Sequence, residues 1–381
     1  MSEWKKVRLG EIANYVNEKI DIKAFDTSLY ISTDSMLKDK GGIGTPESIP
    51  ESGKVTKYQH NDILVSNIRP YFKKIWFSNR EGGCSNDVLV FRANDNIDST
   101  FLYYVLSDDS FFDHMMSSAN GTKMPRGNRK LIPSFEIPLP PLSTQHRIAS
   151  ILSRYDSLIE NYQKQIKLLE EAAQRLYKEW FVDLHFPGHE NRNIVDGVPE
   201  GWEKKKLIDL VDVQYGYAFD GHLFNSKEEG TPIVRIRNIP DGYTNDYTTE
   251  EANESYIIND GDILVGMDGI FHINTWSGGK AFLVQRACSF RPKDDSMKGF
   301  ILQAIYEPIK FFENTVVGAT VAHLGKKHID SIELLVSKNV SLYKPFEKMF
   351  NERQTLKSQL RLLTEARDRL LPKLISGDIE I

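Results

Sequence analysis

The sequence repeats itself, and the two copies are offset by roughly 195–200 residues within a chain of 381 residues. The run Asp-Ile-Leu-Val at 62–65 returns unchanged at 262–265, and Phe91-Arg92 returns as Phe290-Arg291. Further matches occur in the same order, and they are 4–12 with 202–210, 121–136 with 318–333, and 168–172 with 362–366. Chance agreement among common residues is the alternative. A nearly constant offset favours a duplication, so the chain should fold as two similar halves.

Each copy is predicted to contain a globular part followed by a long helix. The globular parts, 1–142 and 187–338, contain short apolar runs between polar, glycine-containing segments, which are typical of strands and turns. The helices are predicted at 143–186 and 339–381. The expected fold class is α+β, in which two similar globular domains of mixed strands and short helices are separated by two long helices.

Prolines and small polar residues predict where the long helices begin and end. Pro138, Pro140 and Pro141 end the strand region, and Ser143 or Thr144 can then cap the first helix. In the second helix, Pro372 should end the regular helix near Leu374 and fray that end.

Both predicted helices carry an apolar seam whose spacing alternates between four and three residues, as in a coiled coil. The first seam is Ile148, Leu152, Tyr155, Ile159, Tyr162, Ile166, Leu169, Ala173, Leu176 and Trp180. The second is Leu342, Phe346, Met349, Arg353, Leu356, Leu360, Leu363, Arg367, Leu370 and Leu374. The two arginines are either register-setting polar positions or side chains that snorkel from a wet seam, and we favour snorkelling.

Two apolar stripes of equal length within one chain can bury each other, which predicts an antiparallel coiled coil with a pseudo-two-fold axis. Packing of each helix on its own globular part, or pairing between chains, are the alternatives. A seam of this length spans roughly 50 Å. Major grooves on one face of duplex DNA recur about every 34–36 Å, so such a strut could place two domains in equivalent grooves.

The net charge of −5, from 48 Lys+Arg and 53 Asp+Glu, argues weakly against DNA binding, because a protein that binds DNA through bulk charge is usually basic. Either binding is local, through basic patches, or the chain does not bind DNA. Such patches occur in predicted loops, where basic side chains can bind phosphates and Arg or Asn can read base edges. In the first globular part the candidates are Arg69, Tyr71, Lys73, Lys74, Lys123, Arg126, Arg129 and Lys130. In the second they are Arg235, Arg237, Asn238, Lys280, Arg286, His323, Lys326 and Lys327. Solvated surface charge is the alternative, but loops 123–130 and 320–328 are equivalent in the repeat.

An enzyme is the main competing class, and the sequence lacks its usual signatures. No phosphate-binding loop of the Gly-x-x-x-x-Gly-Lys-Ser/Thr type occurs, and no methyltransferase Asn/Asp-Pro-Pro-Tyr/Phe stretch. His185 and His189 have metal-ligand spacing without a third ligand nearby, so we expect no metal site. Asp62 and Asp262 are interpreted as turn residues. A long apolar span is absent and Cys84 and Cys288 lie far apart, so we expect no membrane segment and a cytoplasmic location.

Several motifs resemble those of type I restriction-modification specificity subunits. The run 137–148, Ile-Pro-Leu-Pro-Pro-Leu-Ser-Thr-Gln-His-Arg-Ile, resembles their junction between recognition domain and conserved helix. The runs 176–188, 197–202 and 369–377 resemble, respectively, the end of that helix, the opening of the second recognition domain and the C-terminal ending. Leu334–Lys338 replaces the proline-rich entry at the second helix.

The resemblance implies target-recognition domains at 1–142 and 187–338 and conserved helices at 143–186 and 339–381. It implies a non-catalytic subunit that reads a split, asymmetric site on double-stranded DNA. Two methyltransferase subunits would methylate adenine at N6 with S-adenosylmethionine, and motor-nuclease subunits would use ATP and Mg²⁺ for restriction. This chain would carry no cofactor. A coiled-coil scaffold without sequence-specific DNA reading is the alternative function.

Overall fold

The computed structural model describes residues 4–119, 121, 123–315, 322–379 and 381. It divides into two compact units: unit 1 is Met1–Leu158 with Leu363–Ile381, and unit 2 is Ile159–Leu362. The division falls within each long helix, so both helices contribute to both units. The four-segment division of the sequence stays a prediction.

Unit 1 contains two four-stranded sheets, a two-stranded sheet and short helices. Its strands are β1 (Lys5–Arg8), β2 (Ala13–Tyr15), β3 (Lys19–Asp21), β4 (Tyr30–Ile31), β5 (Lys54–Tyr58), β6 (Ile63–Ser66), β7 (Ile75–Phe77), β8 (Gly82–Cys84), β9 (Val88–Ala93) and β10 (Glu136–Leu139). Helices α1 (Leu9–Ile12), α2 (Ser99–Ser107) and α3 (Asp109–Ser117) precede the long helix α4 (Leu142–Tyr177). A four-stranded sheet has the order β2-β9-β6-β7, a second has the order β3-β5-β8-β4, and β1 pairs with β10.

Unit 2 repeats this plan. Its strands are β11 (Ile194–Val195), β12 (Val198–Pro199), β13 (Trp202–Lys206), β14 (Val211–Tyr215), β15 (Phe224–Asn225), β16 (Thr231–Val234), β17 (Tyr247–Thr248), β18 (Ile257–Ile258), β19 (Ile263–Gly266), β20 (Ile273–Thr275), β21 (Ala281–Leu283), β22 (Ala287–Pro292) and β23 (Glu333–Ser337). Its helices are α5 (Leu207–Leu210), α6 (Lys298–Ala304), α7 (Tyr306–Thr315), α8 (Lys326–Asp330) and the long α9 (Lys344–Ser376).

The two units share the strand order and register of one four-stranded sheet, which confirms the predicted duplication, whereas their second sheets have four strands in unit 1 and five, β15-β17-β16-β21-β18, in unit 2. Order β14-β22-β19-β20 in unit 2 corresponds to β2-β9-β6-β7 in unit 1, and β13-β23 corresponds to β1-β10. Ile63 pairs with Phe91, and Ile263 pairs with Phe290. The repeated Ile-Leu-Val runs therefore lie in central strands, where three consecutive apolar residues suit burial on both faces.

The long helices run antiparallel, because in each unit the beginning of one packs with the end of the other. In unit 1, Ile148 and Leu152 of α4 share a core with Leu371 and Leu374 of α9. In unit 2, Trp180, on the π-helical turn that follows α4, contacts Phe346 near the start of α9 with ring centroids 6.1 Å apart. These cores also contain residues of the globular parts, so each helix packs on its partner and on a sheet-rich part together.

All seam positions are buried or half-buried, whereas Leu158, Leu168 and Leu362 outside the seam are exposed. The α+β fold class with paired long helices is confirmed. Among the described residues, no helix combines the length and apolar composition that a membrane span needs.

Two expectations about the ends of the long helices were wrong. Ser143 and Thr144 lie inside α4, which begins at Leu142, and the buried Gln145 holds its start by donating to Pro140 O at 2.9 Å. Pro372 does not end α9, which continues to Ser376. A proline removes one backbone hydrogen bond, but burial of the following turn in the core of unit 1 keeps that turn helical.

The snorkelling expectation for the two seam arginines was also wrong. Arg353 is only 8% exposed, and its guanidinium lies 2.6 Å from Glu170 of α4. Arg367 lies 2.9 Å from Asp156, again across the helix pair. Both are polar seam positions with specific partners on the other helix, which favours a register-setting role.

Candidate nucleic-acid interface

Three loops meet in unit 1, and we call residues 67–74, 85–87 and 123–130 the first loop cluster. Loop 67–74 directly follows the central strand β6. The backbone N–H of Asn67 donates to Asp87 O at 2.9 Å, and that of Arg69 donates to Pro125 O at 2.8 Å. Ile68 and Arg126 form an isolated antiparallel bridge. The two basic loops that the sequence predicted for this part are thus in direct contact.

Unit 2 contains the equivalent arrangement, and residues 267–272, 285–286 and 322–328 form the second loop cluster. Met267 N–H donates to Arg286 O at 2.8 Å, and Gly269 N–H donates to Ala322 O at 3.0 Å. Asp268 and His323 form the bridge. Gly318, and residues 320–321 of the predicted loop 320–328, lie outside the described residues.

The equivalent turns use left-handed backbone at the same position. Arg69 has φ of 50° in unit 1, and Gly269 has φ of 70° in unit 2. Lys73 and Arg286, both non-glycine cluster residues, also have positive φ. This conformation costs roughly 1–2 kcal/mol for a side chain with a Cβ, so the surrounding hydrogen bonds must hold it.

Most of the first cluster's predicted cations have partners. Lys73 lies 2.7 Å from Asp109, which also binds Lys40 at 3.0 Å. Burial raises the pKa of Asp109, but the hydrogen bonds from Lys73 and Lys40 outweigh it and lower that pKa. Lys74 donates to Thr33 O at 2.7 Å. Its pKa is lowered by burial and by neighbouring Lys38.

The remaining candidates of the first cluster are more accessible. Arg126 is 3.2 Å from Asp87, and its side chain remains 55% exposed. Arg129 lies over the Tyr15 ring, 5.4 Å from its centroid. Tyr71 is 47% exposed. Lys123 and Lys130 are exposed and form no ion pair with any described residue. These side chains are available to an external anion.

In the second cluster Asp268 gathers two of the predicted side chains. His323 Nδ1 lies 2.5 Å from one carboxylate oxygen, and Arg286 Nε lies 3.3 Å from the other. Both basic side chains remain more than half exposed. Lys326 and Lys327 are exposed at the start of α8, and Lys280 is exposed in the turn before β21.

Arg235, Arg237 and Asn238 form a separate group around Asp246. Arg235 and Arg237 each lie 2.8 Å from its carboxylate, and Asn238 Nδ2 donates to it at 3.1 Å. Burial raises the pKa of Asp246, but these three hydrogen-bond donors outweigh it and lower that pKa. All three side chains therefore bind the Asp246 carboxylate, although the Arg237 side chain is still 64% exposed.

A family model supplies the deciding comparison. The model described as the type I restriction modification DNA specificity domain matches residues 1–171 and 199–337, which include most of both globular parts. The chain belongs to this family. The resemblance that the sequence motifs predicted is confirmed.

Relatives and a solved structure agree with the family. The type I restriction enzyme MjaIX specificity subunit of Methanocaldococcus jannaschii is 27% identical over 308 residues, which cover 75% of this chain and 70% of the relative. The HindI specificity subunit of Haemophilus influenzae is 21% identical, with 100% of both chains covered. The crystal structure of the type I restriction-modification S subunit from M. genitalium has a TM-score of 0.59 at 18% identity, covering 98% of this chain and 96% of that one. This likeness shows a shared fold.

The recurring aspartates of this family member are structural. Asp62 accepts from Gln59 N–H at 2.8 Å, which closes the turn, and binds Arg92 through two contacts of 2.7 Å. Asp262 does the same with Asn259 N–H and Arg291. The interpretation of both as turn residues agrees with these contacts, and the arginine partner explains why Phe-Arg recurs in both copies.

Sequence reasoning missed the acidic partners Asp87, Asp109, Asp246 and Asp268, and the cations Lys38 and Lys40. Lys38 lies 4.2 Å from the Phe72 ring centroid, beside the first loop cluster. Partners such as Lys73 and Asp109 are far apart in sequence, so no spacing rule could pair them. Only the repeat offered a signal for Asp268, because position 268 is the counterpart of Ile68, which forms the equivalent bridge in unit 1.

Proposed function

We propose that this chain reads a two-part, asymmetric site on double-stranded DNA, one half with each sheet-rich part. The observation that carries the proposal is the loop cluster that occurs in both units and presents exposed basic side chains in each. Membership of a DNA specificity family supports it. Backbone hydrogen bonds between the loops would hold the reading side chains in fixed positions, as base recognition requires.

The two loop clusters carry different side chains, so the two halves of the site would differ. The first has Tyr71, Arg126 and Arg129, and the second has Ile270, Arg286 and His323. Arginine pairs with guanine in the major groove, whereas apolar side chains contact the thymine methyl group. Unlike donors in equivalent positions would select unlike bases. Lysines 123, 130, 280, 326 and 327 would bind phosphates.

We further propose that catalysis belongs to partner subunits in the cytoplasm. Two modification subunits would methylate adenine at N6 with S-adenosylmethionine, and restriction subunits would use ATP and Mg²⁺. The relatives are named specificity subunits of type I restriction enzymes, which supports this division of labour. The comparisons give no support to a scaffold that does not read DNA.

Mapping of N6-methyladenine tests the proposal. The chain is expressed with the methyltransferase encoded beside it, and methylated positions are found by long-read sequencing. We expect a new motif of two parts, with adenines methylated on opposite strands about one helical turn apart. Soluble, expressed proteins that produce no new motif would contradict the proposal.

A further inference from the structure

A set of buried polar side chains joins the helix α9 to strand β20 within unit 2. Arg353 donates from Nη1 to Thr275 Oγ1 at 2.6 Å and from Nη2 to Asn274 Oδ1 at 2.8 Å. Lys357, one turn further along α9, donates to Asn274 Oδ1 at 3.1 Å and to Thr275 O at 2.6 Å. We call Arg353, Lys357, Asn274 and Thr275 the helix–strand clamp.

The clamp buries two cations beside each other, which apolar packing would not require. Arg353 is 8% exposed and Lys357 is 9% exposed. Glu170 balances Arg353 from the facing helix at 2.6 Å. Burial and the charge of Arg353 lower the pKa of Lys357 to about 7, against the raising effects of Glu170 and Asp260. Buried charge is costly, so its presence indicates a need for fixed geometry.

Asn274 also contacts a segment that is predicted to face DNA. Its Nδ2 donates to Ile239 O at 3.0 Å and to Pro240 O at 2.7 Å, directly after the Arg235–Asn238 group. Strand β20 also follows the 267–272 loop of the second cluster. Gly266 N–H donates to His272 O at 2.9 Å, which closes that loop. Asn274 thus connects α9 to the basic Arg235–Asn238 group and lies on the strand that follows the 267–272 loop.

The first copy of the duplication has no such polar residue at this place. Trp76 pairs with Leu64 as Asn274 pairs with Leu264, so the two residues are equivalent. Trp76 contacts the Tyr58 ring edge-on at 5.8 Å, and the neighbouring Phe77 contacts Tyr103 at 5.3 Å. The first part therefore packs this strand with aromatic side chains, and the clamp is specific to the second part.

We propose that Arg353 and Lys357 are positioning residues that fix the reading surface of the second sheet-rich part on helix α9. The proposal rests on the proposed function, and it identifies the clamp as the source of accurate recognition of the second half of the DNA site. Hydrogen bonds to Asn274 and Thr275 define one axial position for the strand, whereas an apolar contact tolerates sliding. A small displacement of the strand would move the loop and the Arg235–Asn238 group together.

The test replaces both cations with methionine, Arg353→Met with Lys357→Met, in the chain assembled with its methyltransferase. Competition binding uses duplexes that carry the mapped two-part site or single-base-pair changes in either half. We expect second-half discrimination to fall by about tenfold, the discrimination given by one good base contact. First-half discrimination should not change. The single variant Arg353→Lys retains a positive charge at this position, so it should keep more of the second-half discrimination than the double variant does.

Arg367→Met is the matched control, because Arg367 joins the same helix to Asp156 of α4 rather than to a strand. It should leave both halves unchanged. Full second-half discrimination in the double variant, or equal loss in both halves, would overturn the inference while leaving the two-part site intact. Absence of any two-part site for the unaltered chain would overturn the proposed function itself. If the double variant does not fold, Lys357→Met alone carries the same expectation.

Discussion

Three aspartates form ion pairs with basic side chains of the predicted interface, and these ion pairs reduce the positive charge that is available to DNA. Asp109, Asp246 and Asp268 each bind two basic side chains in or beside the predicted interface. Among the described residues, the predicted interface cations that form no such pair include the exposed lysines at 123, 130, 280, 326 and 327. A chain with net charge −5 can therefore present local positive surface at a few side chains without being basic as a whole.

The lysines of the first loop cluster give a direct test at this scale. Lys123→Glu with Lys130→Glu should weaken DNA binding by the assembled complex and reduce the slope of log K against log salt by about 2, because two phosphate contacts are lost. Salt titration of binding measures the slope. Lys5→Glu with Lys6→Glu, on β1, is the equal-charge control. Equal slopes for the unaltered chain and the cluster variant would remove these lysines from the interface.

Lys357 gives a prediction for pH. Its pKa is about 7 in the folded chain and near 10.4 when unfolded, so between these values the unfolded state binds more protons. The stability contribution of this group should therefore rise with pH from about 7 to about 10, by at most about 1.4 kcal/mol per pH unit. The melting temperature of the unaltered chain minus that of Lys357→Met should therefore increase as pH rises from about 7 to about 10. A constant difference across this range would contradict a lowered pKa for the buried Lys357 amine.

At the scale of elements, the same ion pair fixes the central strands of both units. Asp62 is 1% exposed and binds Arg92, which follows Phe91 on β9. Asp262 and Arg291 repeat this contact between the turn before β19 and strand β22. Each pair joins two neighbouring strands at the ends opposite the loop cluster, so the pairs hold the sheet together rather than place the loops directly.

Breaking one pair should destabilise its unit. Arg92→Met leaves the buried Asp62 carboxylate without its arginine and should cost about 2 kcal/mol or more. Arg291→Met should cost a similar amount in unit 2. Lys57→Met, which breaks the exposed pair with Glu18, should cost less than about 1 kcal/mol. Denaturant unfolding measures all three, and equal small effects for the arginines and Lys57 would contradict a structural role for the pairs.

The long helices show which elements the sequence could predict. Their existence and their seams follow from apolar spacing, which depends only on neighbours along one helix. The behaviour of Pro372, Arg353 and Arg367 does not, because each depends on packing against distant residues. Burial in the core of unit 1 keeps the turn after Pro372 helical, and carboxylates on α4 hold both arginines.

At the scale of the whole molecule, the duplication was the most informative feature. It predicted two similar parts, equivalent loops and repeated strands, and the shared strand order bears this out. It could not predict where the copies differ. Asn274 and Trp76 occupy equivalent positions with opposite chemistry. The clamp around Asn274 joins residues about 80 positions apart, beyond the reach of any local pattern.

The central claim is that each loop cluster reads one half of a two-part DNA site. Methylation mapping of two matched variants, expressed with the methyltransferase partner, tests it most directly. Arg126→Ala with Arg129→Ala alters the first cluster, and Arg286→Ala with His323→Ala alters the second. We predict that each variant makes the methylated motif degenerate in one half only, and that the affected halves differ. Degeneracy in the same half for both variants, or an unchanged motif in both, would contradict the account.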